Sequence, residues 1–71
     1  MHILRIEYTQ PTQDEYELSC RTEKVTEWLV NYDVYGCQCA PDKIAFDTDK
    51  MRNLAILWLC DEKQIKRLKL G

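Results

Sequence analysis

Cys37 and Cys39 stand one residue apart just ahead of Ala40-Pro41-Asp42-Lys43, and with Cys20 and Cys60 they make four thiols in a chain of 71 residues. Four sulfurs could complete a structural zinc site, if they can approach within about 4 Å of one another around an ion bonded at about 2.3 Å. The spacing argues against this. Residues two apart on a regular strand have α-carbons about 7 Å apart, Cys20 and Cys60 are isolated, and the paired C-x-x-C knuckles of zinc modules are absent. The expectation is reduced, metal-free thiols, with Cys20, Cys37, Cys39 and Cys60 as a zinc-stabilised alternative.

Other chemistry is sparse. His2 is the only histidine and Ser19 the only serine, and neither has a visible partner to form a base and nucleophile. Asp47-x-Asp49 could hold Mg²⁺ through paired carboxylates, but no glycine-rich phosphate loop accompanies it. Such a pair more often belongs to a turn or helix cap. No catalytic residue, cofactor or enzymatic activity is expected.

The charge is uneven. Residues 1–35 hold seven acidic and three basic residues, and residues 36–71 hold five acidic and seven basic ones, within a net charge of −2. Lys63, Lys66, Arg67 and Lys69 crowd one segment behind Asp61 and Glu62. On a helix this order places each sign where the macrodipole favours it, so the cluster requires no ligand. The same four residues would serve a nucleic-acid site, the alternative function, although nucleic-acid domains are usually strongly basic overall.

The elements that must position these residues follow from periodicity. Leu4, Ile6 and Tyr8 alternate with Arg5 and Glu7 as a half-buried strand, and Tyr16, Leu18 and Cys20 alternate in the same way, which suggests an N-terminal hairpin. After Thr22 as N-cap, Val25, Trp28, Leu29 and Tyr32 recur at helical spacing, ending near Asn31 to Asp33 and aiming Trp28 at the sheet. A turn at Pro41-Asp42 sets Ala40 opposite Lys43. Counting outward then puts Cys39 opposite Ile44 and Cys37 opposite Phe46, on the core face. Leu54 to Cys60 is apolar on every side and reads as a central strand, against a long helix from Thr48. Asp61-Glu62-Lys63-Gln64 has the form of a capping box for a short last helix over Glu62 to Leu68.

Together these give a single α+β domain over residues 1–71: a small two-layer fold, a mostly antiparallel sheet of four or five short strands with two helices on one face. Nothing at the N-terminus resembles a signal peptide and no apolar run reaches membrane-spanning length. The expected setting is cytoplasmic, with no membrane partner.

A core this small often gains stability by association, and hydrophobic residues are 45% of the chain. The expectation is a homodimer or larger and a protein-interaction module, an inhibitor or regulator of another protein in the manner of phage accessory factors. Its contacts are expected at Tyr8, Tyr16, Tyr32 and Tyr35, since tyrosine is enriched at binding hot spots.

Overall fold

The computed structural model describes residues 2–71, which run in the order β1 (His2–Tyr8), α1 (Glu15–Val30), β2 (Cys37–Ala40), β3 (Lys43–Phe46), α2 (Asp49–Leu59) and β4 (Ile65–Leu70). The strands form one sheet in the order β2-β3-β1-β4, with every neighbouring pair antiparallel. This β-α-β-β-α-β connectivity is the split arrangement of ferredoxin-like domains. It is the small α+β fold expected from the pattern, reached with different local elements. No helix among the described residues is long and apolar enough to cross a membrane.

The expected N-terminal hairpin is replaced by a strand and a long helix. Asp14 caps α1 by accepting from the Tyr16 amide at 3.0 Å. Its own amide donates to the Thr12 hydroxyl, which donates to the Glu17 carboxylate, so Asp14 and Glu17 are linked as in a capping box but through a threonine. Arg21 donates to Glu17 and to the Gln10 carbonyl, which ties the loop to the helix. Thr22 is therefore not an N-cap. It lies mid-helix and fully buried, on a stripe with Leu18, Val25 and Leu29. Alternation over Tyr16–Cys20 was a weaker signal than this longer stripe.

The C-terminal half also corrects the sequence reading. Thr48 accepts from the Met51 amide and starts α2, so Leu54–Leu59 is helical rather than a strand. The residues read as a last helix form a turn followed by β4, whose Leu68 and Leu70 pair with Ile6 and Leu4. Period-two alternation of Arg67, Leu68, Lys69 and Leu70 matches the open edge of β1. Pairing with that edge outweighs the four-residue capping pattern.

The core lies between one sheet face and both helices: Leu4, Ile6, Tyr8, Ile44 and Phe46 meet Leu29, Val34, Ala55 and Leu59. Gly36 passes so close that an added Cβ would lie 2.6 Å from the Phe46 ring and 2.7 Å from Ile44. Buried Thr22 donates from its hydroxyl to the Pro41 carbonyl at 2.6 Å, and the Tyr8 hydroxyl lies 3.0 Å from the Thr22 Oγ1. Since the threonine proton is engaged with Pro41, Tyr8 donates to Thr22. This relay ties α1 to the β2–β3 turn.

Candidate interaction surface

Helix α2 is apolar on two sides. Ala55 and Leu59 are buried against the sheet and Met51 and Ile56 pack at the core margin, while Leu54, Leu57 and Trp58 are exposed. The spacing i, i+3, i+4 sets the exposed three on one helix face. Leu57 is 67% exposed and Trp58 44%.

Tyr32 reaches this face because of the way α1 ends. The Val34 amide donates to the Leu29 carbonyl and the Asp33 amide to the Val30 carbonyl, both at 3.1 Å, and Asp33 takes φ 60°. This is a Schellman closure with an aspartate in the left-handed position usually held by glycine, and Val34 packs with Leu29 in the core. The turn fixes Tyr32 beside α2. Its ring stacks on Trp58 with centroids 4.1 Å apart and planes at 26°, and meets Trp28 at 4.8 Å and 58°. Trp28 is thus half-buried, packed on the core on one side and on Tyr32 on the other, and not the core centre that its stripe implied. Such aromatic pairs contribute about 0.5 to 1.5 kcal/mol each beyond area burial. They hold the exposed Trp58 indole in a set orientation.

The other tyrosines make no ring contact with Trp58 among the described residues. Tyr8 is only 8% exposed and donates into the Thr22 relay, which removes it from any binding role proposed for it. Burial pushes its hydroxyl above the ordinary tyrosine value, with the nearby Arg21 guanidinium opposing in part. Tyr16 is exposed but sits at the far end of α1, about 24 Å from Tyr32 by helix rise. Tyr35 is exposed and its hydroxyl donates to Asp33 at 3.3 Å.

The thiols are dispersed. Cys20 is on α1, Cys60 closes α2 with its Sγ 3.1 Å from the Leu57 carbonyl, and Cys37 and Cys39 are exposed on β2. Among the described residues no three His, Cys, Asp or Glu groups are placed to share a metal ion.

The turn places Ala40 opposite Lys43 as expected, yet Gln38, not Cys39, pairs with Ile44, and Cys37 pairs with Ala45. Cys39 is the extra residue of a bulge. Neither turn residue has positive φ, so the turn is not of the primed type that matches strand twist, and the bulge absorbs the mismatch. The shift turns the cysteines off the core face and sends Gln38 to α1, where it donates to Ser19.

The basic cluster has no helix dipole to offset, because Lys66, Arg67 and Lys69 belong to β4 and Lys63 to the turn before it. Asp47 precedes the α2 cap and Asp49 occupies its first turn, which is the capping use of such a pair.

No family model, curated protein or solved structure matches this chain. The surface therefore stands on its own geometry. Trp58, Leu57 and Leu54 were missed as surface residues because an all-apolar run reads as wholly buried. The i, i+3, i+4 spacing beside a second apolar stripe was the available signal.

Proposed function

We propose that the protein is an interaction module that binds another protein through Leu54, Leu57, Trp58 and Tyr32, and regulates or inhibits that partner by occupying its surface. The observation that carries this is Leu57, two-thirds exposed beside the stacked Trp58. Nothing in the fold requires an apolar side chain there. Tryptophan and tyrosine are enriched at binding hot spots, and an indole already held by stacking loses little further freedom on docking. The complementary feature would be an apolar recess that admits the indole edge, with Leu54 and Leu57 excluding water around it.

A photo-crosslinking residue at position 57, with one at Glu23 on α1 as control, tests this in the source cells. A discrete crosslinked partner at 57 and none at 23, lost in Trp58→Ala protein that keeps its far-ultraviolet spectrum, supports the reading. Equal labelling at both positions counts against it. Light scattering across a dilution series checks the self-association expected of so small a core. A dimer dissociated to 8.5 kDa by Leu57→Asp would make the partner a second copy of the chain.

A further inference from the structure

The sheet has a second face, which neither helix covers. Alternation along β1 turns Ile3, Arg5 and Glu7 away from the core, and the register sets Lys43 of β3 and Lys69 of β4 directly opposite Arg5 on either side. Lys43, Arg5 and Lys69 thus form a row of three cations across three adjacent strands, at about 4.8 Å per step. Arg67 lies opposite Glu7 on the next row. Lys66, extra in its strand, reaches to 3.9 Å from the Glu7 carboxylate.

Folding alone gives little reason for this row. Like charges directly opposed on a sheet are destabilising. Lysines on an edge strand are commonly explained as a guard against edge-to-edge pairing, and that covers Lys66 and Lys69 on β4. It does not cover Arg5 and Lys43, since β1 and β3 are the two central strands.

The counter-charges are few. Asp42 holds Arg5 at 2.9 Å, and Glu7 is shared between Lys66 and Lys69 at 3.9 and 3.5 Å. Five cations therefore face two carboxylates, and Lys43 and Arg67 have no ion-pair partner among the described residues. Exposed pairs of this kind are weak and exchange readily for another anion. The overall charge of −2 is no objection, because the acids concentrate elsewhere: Asp14, Glu15, Glu17, Glu23 and Glu27 are exposed on α1 and its cap, in the opposite layer.

We infer that this open face binds the phosphate backbone of a nucleic acid. The face offers cations beside Ile3 and Ala45, and its described residues include no tyrosine, tryptophan or phenylalanine to anchor a protein or stack a base. Both helices lie on the far side, so none can enter a groove to read bases. Recognition is of charge and spacing, without sequence preference. An acidic protein segment is the competing occupant. It is the weaker one, since charge without an apolar anchor seldom makes a protein hot spot. The site is separate from the aromatic surface on α2, so the domain would bridge a protein and a nucleic acid.

Fluorescence anisotropy with two labelled single-stranded 12-mers of unrelated sequence tests this, with labelled poly-glutamate as competitor class. The expected result is similar affinity for both oligonucleotides at low salt, with log K falling against log salt at a slope of about −2, as for roughly three phosphates at −0.7 each. The variant Arg5→Gln/Lys43→Gln/Lys69→Gln should lose about tenfold or more in affinity while keeping its melting curve, and Lys24→Gln/Lys50→Gln should change nothing. No binding at low salt, equal binding by the triple variant, or poly-glutamate bound as tightly as the oligonucleotides would overturn the proposal.

Discussion

Along β1, Leu4, Ile6 and Tyr8 turn toward the helices and are buried, while Arg5 and Glu7 between them turn to the open side and carry charge. Across β3 the contrast is weaker: Ile44 and Phe46 enter the core and Lys43 is half-buried, but Ala45, opposite Ile3 on the other face, is buried as well. The covered face sets stability, because its side chains leave water and touch both helices. The open face, where Arg5, Lys43 and Lys69 stand in a row, is covered by neither helix and carries less of that demand. A substitution should therefore show which face it is on by whether it moves the melting curve or the binding curve.

The sharpest way to break this contrast is on the covered side. Phe46→Ala empties the largest fully buried side chain and should cost about 3 to 5 kcal/mol by chemical denaturation. Most of the stability of so small a domain would go with it. Gly36→Ala should cost about 1 to 3 kcal/mol, since the new Cβ must displace Phe46 and Ile44. Thr22→Val keeps the shape but strands the Pro41 carbonyl and the Tyr8 hydroxyl, for a similar loss of about 1 to 3 kcal/mol.

Alkali probes that same relay. The unfolded chain ionises Tyr8 near pH 10, while the buried hydroxyl holds its proton to higher pH. Stability from this residue is therefore constant below about pH 10 and falls as the pH rises further. A Tyr8→Phe variant should lose that part of the alkaline decline. On the open face, Lys43→Gln and Lys69→Gln should each leave stability within about 0.5 kcal/mol. A loss of several kcal/mol from either would mean that the open face also serves the fold.

The architecture was legible in the sequence, though several of its elements were not. The period-two pattern of Leu4, Ile6 and Tyr8 located a strand correctly, and Pro41-Asp42 located the turn. What failed was ranking. Tyr16 to Cys20 satisfies strand alternation over five residues, but Leu18, Thr22, Val25 and Leu29 satisfy a helix over twelve, and a buried threonine hides that stripe from a purely apolar count. At Cys37 and Cys39 the turn was right and the faces reversed, because one bulged residue inverts everything beyond it. Of the tyrosines offered as contacts, Tyr32 lies in the aromatic surface, and what brings it to Trp58 is a helix end that composition does not announce.

The pairing of β1 with β4 also bears on how the chain acquires its fold in time. Leu4 lies beside Leu70, and the Gly71 amide donates to the Ile3 carbonyl at 3.2 Å, so the sheet is closed by its two most distant segments in sequence. A nascent chain would emerge with β1 already made but with one long edge open until residues 65–70 are synthesised. Contacts of such separation slow folding. The open edge meanwhile presents a row of unpaired amides and carbonyls, ready to accept any other strand. Chains cut short before Ile65 would keep that edge unpaired and are expected to aggregate more readily than chains that reach residue 70.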